Sequence, residues 1–134
     1  MKLYIEEEGT DMVKEITGKA DVVATSRISF AEARSALVRC QDEKVISGNN
    51  YRQCITNLKS DWEMYLILDA SETVIQIAGE LIENYRIRGF DGIHLASGLV
   101  LMRQVNEVVN FMCWDSKLWH AAKKEEFKIW PHEI

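Results

Sequence analysis

Apolar residues recur at spacings of three and four along most of the chain, and the breaks in that rhythm mark where helices end. Phe30, Ala33, Leu37 and Cys40 share one face of a helix predicted from about Ser29. Ser47 can cap a second helix running to about Met64, with Tyr51, Cys54, Ile55, Leu58 and Trp62 as its stripe, so the pair predicts a helical hairpin. Ser71 opens another, with Val74, Ile75, Ile77, Ala78, Leu81, Ile82 and Tyr85 apolar, and Gly89 is expected to stop it. From Asp91 to about Gln104 the apolar positions Ile93, Leu95, Ala96, Leu99, Val100, Leu101 and Met102 surround almost the whole helix, which places it centrally in a core. Residues 10–17, closed by Gly18, and Ser116–Lys124 complete the helices.

Between these stretches lie short apolar runs without helical period: residues 21–25, Leu66–Leu68 ending at Asp69, residues 108–114, and residues 127–130 before Pro131. Residues 1–5 also pass as a short edge strand. Short apolar strands alternating with helices predict an α/β fold with right-handed crossovers and a parallel sheet covered on both faces. In such sheets chemistry gathers at the carboxyl ends of strands.

Length and composition narrow the class. A chain of 134 residues, 47% hydrophobic and 28% charged, with one proline, suits one compact globular domain. Cys40, Cys54 and Cys113 are an odd number without a Cys-x-x-Cys pair, which indicates neither a disulfide framework nor a cysteine-built zinc site and fits a reducing cytoplasm. The longest apolar run, residues 93–102, is broken by His94, Ser97 and Gly98 and is half of the roughly 20 residues a spanning helix needs. Lys2 followed by Glu6, Glu7 and Glu8 lacks the pattern of a secretory signal. A net charge of −5 argues against broad phosphate neutralisation along nucleic acid, but not against carboxylates that hold metal ions.

Three acids stand where a strand end or loop meets a helix start: Glu32, Asp91 and Asp115. Each has a purely structural reading. Ser29-Phe-Ala-Glu32 fits a capping box, and Asp91 and Asp115 fit N-caps. Their conjunction points further, because carboxylates gathered at one sheet edge need a cation. Hard oxygens without a histidine or cysteine cluster select Mg²⁺ or Mn²⁺ over zinc, and the positive end of a helix dipole favours the ionised carboxylate. The residues by themselves lead to a carboxylate-lined, metal-binding crevice.

Three segments, TSRISFAEARSAL (residues 25–37), RGFDGIHLASGLVL (88–101) and FMCWDSKLWHAA (111–122), supported by KLYIEEEG (2–9), resemble the PIN domain family and most closely its VapC-type ribonuclease toxins. Their order and spacing carry the resemblance across nearly the whole chain. It implies a PIN-like three-layer sandwich over residues 1–134 and Mg²⁺-dependent (or Mn²⁺-dependent) cleavage of RNA. It also implies Glu32, Asp91 and Asp115 as catalytic and metal-holding positions, a single-stranded loop of a tRNA or rRNA as substrate, a VapB-like antitoxin docking near the helical hairpin, and a homodimer. The family's first strand carries a further metal-site aspartate and precedes the helix that ends in a segment like KLYIEEEG. This chain begins inside that helix, so about ten further residues upstream of Met1, a short strand plus its turn, are expected. The alternative is a degenerate PIN domain that binds antitoxin or RNA without cutting.

Among the cations that flank the acids, Arg27 and Arg88 rank first as phosphate contacts, each lying just before a helix that carries an acid, and Lys117 follows Asp115 closely. His94 shares a helix face with Asp91 and Ser97 and is read first as a structural histidine. Trp119 is the best interface candidate among the tryptophans. A third class, a phospho-accepting receiver domain using Asp69, fares poorly, because it would need paired acids after the first strand and a Lys-Pro near the last.

Overall fold

A computed structural model describes residues Met1–Ile134 as six helices and four strands of three residues each. The architecture is mixed α/β, as the alternating pattern predicts, and consistent with a PIN-like fold. The sheet is small: strand pairing is confined to two two-stranded sheets. By its contacts the chain forms two compact units, Met1–Ile67 and Leu68–Ile134. No helix is long and apolar enough to cross a membrane.

The first unit opens on a helical turn. The amides of Tyr4 and Ile5 both donate to the carbonyl of Met1, at 2.8 and 3.1 Å, so residues 1–5 are not the edge strand that their pattern allows. Gly9 then takes φ 86°, a left-handed conformation that costs glycine little, and α1 (Thr10–Lys19) follows, running through Gly18 instead of stopping there. The predicted strand at residues 21–25 is shifted to β1 (Ala24–Ser26), which pairs with β2 (Leu66–Leu68).

Between these strands, α2 (Ser29–Asp42) and α3 (Gly48–Met64) make the predicted hairpin. Leu37, Cys54 and Leu58 are its buried centre, with Tyr4, Ile5, Phe30, Ala33, Tyr51 and Ile55 packed around them. The Cys54 thiol donates to the Tyr4 carbonyl at 3.2 Å and ties the opening turn to α3. Ser47 caps α3 as expected, its hydroxyl accepting from the Asn50 amide at 3.1 Å.

The second unit is built around α4 (Glu72–Tyr85) and α5 (Gly89–Val105). Ser71 caps α4 through the Val74 amide. The helix ends earlier than Gly89, at Arg86, whose left-handed φ of 56° and amide bond to the Ile82 carbonyl close the last turn. Gly89 instead begins α5. Along α5, Gly92, Leu95, Ala96, Ser97, Gly98 and Leu99 are buried, which fits the all-round apolar pattern. Gly92 permits this: a Cβ there would stand 2.5 Å from Ile82 Cγ1 and 3.2 Å from the Ala78 carbonyl oxygen, so α4 and α5 meet at a distance only glycine allows.

After α5 the chain forms β3 (Asn110–Met112), α6 (Ser116–Lys124) and β4 (Lys128–Trp130). β3 and β4 run parallel, with Phe111 opposite Ile129. Trp119, expected at an interface, is buried, and its indole N–H donates to the Pro131 carbonyl at 2.7 Å. The amphipathic face of α6 turns this ring into the core because Leu118, Ala121 and Ala122 are buried beside it.

Candidate active site

Asp115 follows β3 by three residues and is the N-cap of α6, as its position at a strand end predicts. Its backbone is extended (φ −78°, ψ 121°), and Oδ1 accepts the Leu118 amide at 3.0 Å. The cap occupies one carboxylate oxygen and thereby orients the group at the end of the strand. Asp91 is not the cap that its sequence position indicated. Arg88 is the N-cap of α5, in extended conformation, which leaves Asp91 in the first turn with its side chain half-buried. An acid in that turn still meets the positive end of the helix dipole.

The two aspartates meet at one open cleft of about 160 Å³, lined by Arg88, Asp91, Asp115, Ser116 and Lys117. Its electrostatics are those of crowded acids. Burial, and then the charge of Asp115, push the Asp91 carboxyl above the usual carboxylate range, while the charges of His94 and Arg88 and the Arg88 backbone pull it back. The neighbouring Cys113 thiol is pushed up to about 12, first by burial and then by Asp115 and Asp91. Without a metal it therefore stays protonated.

Glu32 lies in the first unit, in the first turn of α2, half-buried. The capping box expected of it does not form. The residue before α2, Ile28, is already helical (φ −66°, ψ −23°), and the Ser29 hydroxyl accepts a bond from Thr25 Oγ1 at 2.8 Å. The Glu32 amide bonds instead to the Ile28 carbonyl at 3.2 Å. Arg27, exposed in the turn between β1 and α2, belongs to the same unit, whereas Arg88 and Lys117 are both in the cleft of the second. Ser116 was not singled out by sequence reasoning; its only signal is its place directly after Asp115.

Two carboxylates, a hydroxyl and two flanking cations suit a hard cation that keeps several waters, because Mg²⁺ is commonly held by one or two carboxylates together with substrate phosphate. No group of three or more His, Cys, Asp or Glu side chains is placed to hold an ion. An all-protein cage of the zinc or calcium kind is thus not built.

The chain is 24% identical over 134 residues to Ribonuclease VapC45 of Mycobacterium tuberculosis (strain CDC 1551 / Oshkosh), a match covering all of this chain and 91% of that relative. It is equally similar, over the same extent, to Ribonuclease VapC49 of Mycobacterium tuberculosis (strain ATCC 25618 / H37Rv). No protein-family model matches the chain. The resemblance to VapC-type ribonucleases that the three segments carry is borne out along the full length.

Proposed function

We propose that this VapC-like chain is a metal-dependent endoribonuclease toxin that hydrolyses a phosphodiester in a single-stranded loop of a structured RNA, of the tRNA or rRNA class, and is restrained by a VapB-like antitoxin. The observation that carries the reading is the meeting of Asp91 and Asp115 at one cleft between Arg88 and Lys117. Full-length similarity to two ribonucleases supports the reaction class.

Asp91 and Asp115 would hold Mg²⁺ or Mn²⁺, which supplies Lewis-acid charge and an activated water when bound. The protein's own part is positional. The Leu118 amide fixes Asp115, and the close packing of α5 on α4 at Gly92 fixes Asp91. Arg88 and Lys117 place positive charge where a phosphate must sit between two acids, which offsets the repulsion that would otherwise keep RNA out. The family resemblance assigns Glu32 a part in the same chemistry, and Arg27, just before the helix that carries Glu32, is a phosphate contact by its position. Homodimerisation and a cytoplasmic setting belong to the same proposal.

RNA cut this way carries a 5′-phosphate and a 3′-hydroxyl, and chelation stops the reaction. End-group analysis of the products in Mg²⁺ and in chelator tests this. Cyclic phosphate termini, or cleavage that persists in chelator, would mean that the acids are structural only. The competing reading is a domain that binds RNA or antitoxin without cutting. Metal-stimulated cleavage abolished by Glu32→Gln would exclude it.

A further inference from the structure

Phe90 is the one Phe, Tyr or Trp side chain on the exposed surface of the chain, with 58% of its area open to solvent. The other Phe, Tyr and Trp rings are half-buried or buried, among them Phe111 against Phe127 and Phe30 against Trp62. Its place is specific. Phe90 stands in the first turn of α5, between the N-cap Arg88 and Asp91, two residues that line the cleft. That helix carries a continuous buried stretch from Leu95 to Leu99, which turns its large apolar groups inward. An aromatic ring left outside at its mouth does not serve the core.

We infer that Phe90 is the stacking platform for an RNA base next to the phosphate held in the cleft. The inference rests on the ribonuclease reading and deepens it by naming how a single strand is gripped. Single-stranded nucleic acid is held by cations that track the backbone and by aromatic faces on which unpaired bases stack. Arg88 and Lys117 supply the first element and Phe90 the second. Phe90 does not itself line the cleft but stands beside it in the same helical turn as Asp91, so a base stacked on the ring is about one nucleotide's reach from the acids. Duplex RNA, whose bases are already stacked on one another, cannot use such a platform. The device therefore selects unpaired strands and is indifferent to sequence.

The test is binding of a labelled single-stranded RNA of about ten nucleotides, a length within the usual footprint of such sites, followed by anisotropy in chelator. The full chain carrying Asp91→Asn is used so that cleavage does not intervene. Phe90→Ala is expected to weaken binding by about 5- to 100-fold, while Phe90→Trp and Phe90→Tyr retain it. Phe90→Leu should behave like Phe90→Ala, since it keeps apolar area and loses the aromatic face. The salt dependence of binding should be unchanged in Phe90→Ala but shallower by about 0.7 in log–log slope for Arg88→Ala or Lys117→Ala. An RNA of the same length with abasic riboses should bind wild type and Phe90→Ala alike.

Equal affinity of Phe90→Ala and its parent for the normal RNA would overturn the assignment, and so would full binding by Phe90→Leu or no RNA binding by the parent. Phe90→Ala that keeps RNA affinity but no longer captures an antitoxin would assign the ring to a protein partner instead. The ribonuclease reading fails separately. Absence of metal-stimulated cleavage by the chain with Asp91 restored would sink that reading, and Phe90-dependent binding would then describe an RNA-binding domain without catalysis.

Discussion

The two units hold their acids on very different supports. In the second, a continuous cluster from Val74 through Leu95, Leu99 and Trp119 to Ile129 packs around α5 and α6, the helices that present Asp91 and Asp115. In the first, the buried cluster is Leu37, Cys54 and Leu58, surrounded by partly exposed neighbours, and Glu32 rides on a helix whose side-chain cap does not form. Preorganisation is thus concentrated where the pair of aspartates is. Groups that must meet a phosphate within a fraction of an ångström need rotamers locked by packing, and the second unit provides that packing.

The largest test of this contrast is truncation of the two central leucines, each fully buried. Leu95→Ala should cost toward the upper end of the roughly 2–5 kcal/mol seen for such changes, because its surroundings cannot collapse into the cavity. Leu37→Ala should fall toward the lower end, because its partly exposed neighbours can. Urea melts of both variants measure the difference, and equal losses would break the comparison.

Glycines give a second test. Gly92→Ala forces a Cβ against Ile82 and the Ala78 carbonyl and should cost about 1–3 kcal/mol as overpacking, with lost cleavage as Asp91 is displaced. Gly79→Ala, in α4 with nothing within 4 Å of the added atom, should instead stabilise by up to about 1 kcal/mol. An unchanged or raised melting temperature in Gly92→Ala would break the assignment of the α4–α5 contact to glycine.

Next come the acids. Asp91→Asn and Asp115→Asn should each lower cleavage by at least about 10-fold, equivalent to about 1.4 kcal/mol in the barrier. Asparagine caps a helix about as well as aspartate, so Asp115→Asn should leave the melting temperature almost unchanged, whereas Asp115→Ala should also lose about 1 kcal/mol of stability. A melting loss in Asp115→Asn matching that of the alanine variant would count against the separation of cap from chemistry.

The smallest effect is in pH dependence. The Asp91 carboxyl is raised in the folded protein by burial and by Asp115, so the folded state binds its proton more tightly than the unfolded chain does. Its contribution to stability is present at low pH and is lost as pH rises from the ordinary value of 3.8 through the raised one. Metal-free Asp91→Asn should therefore be more stable than wild type at neutral pH, with the advantage fading as pH falls through the acid range. Denaturation curves across that range check it, and an advantage that grows toward acid would reverse the sign.

Local rules that act within a few residues were legible in the chain. Ser47 and Ser71 cap the helices their spacing indicated, and Asp115 caps α6. The hairpin of α2 and α3 and the all-round apolar stretch of α5 follow the side-chain period, because burial must match the turn of the helix. Asp91 and Asp115 were legible as candidates for the same reason: each falls at a helix start in the predicted order of elements.

Tertiary structure decided the rest. Residues 1–5 have the apolar character of a strand but fold as a turn that the Cys54 thiol holds from fifty residues away, a partner no local pattern reveals. The Ser29 hydroxyl is taken by Thr25, which dissolves a capping box that is correct in spacing alone. Trp119 looked like an interface residue until Pro131 accepted its indole N–H within the core. That Asp91 and Asp115 share one cleft follows from α5 seated against α4 at Gly92 and from β3 paired with β4, so that two helix starts far apart in the chain face the same solvent. Sequence sets what each short segment prefers, because propensity and capping act over one or two turns. Which segments meet is set by the burial of surfaces that lie tens of residues apart.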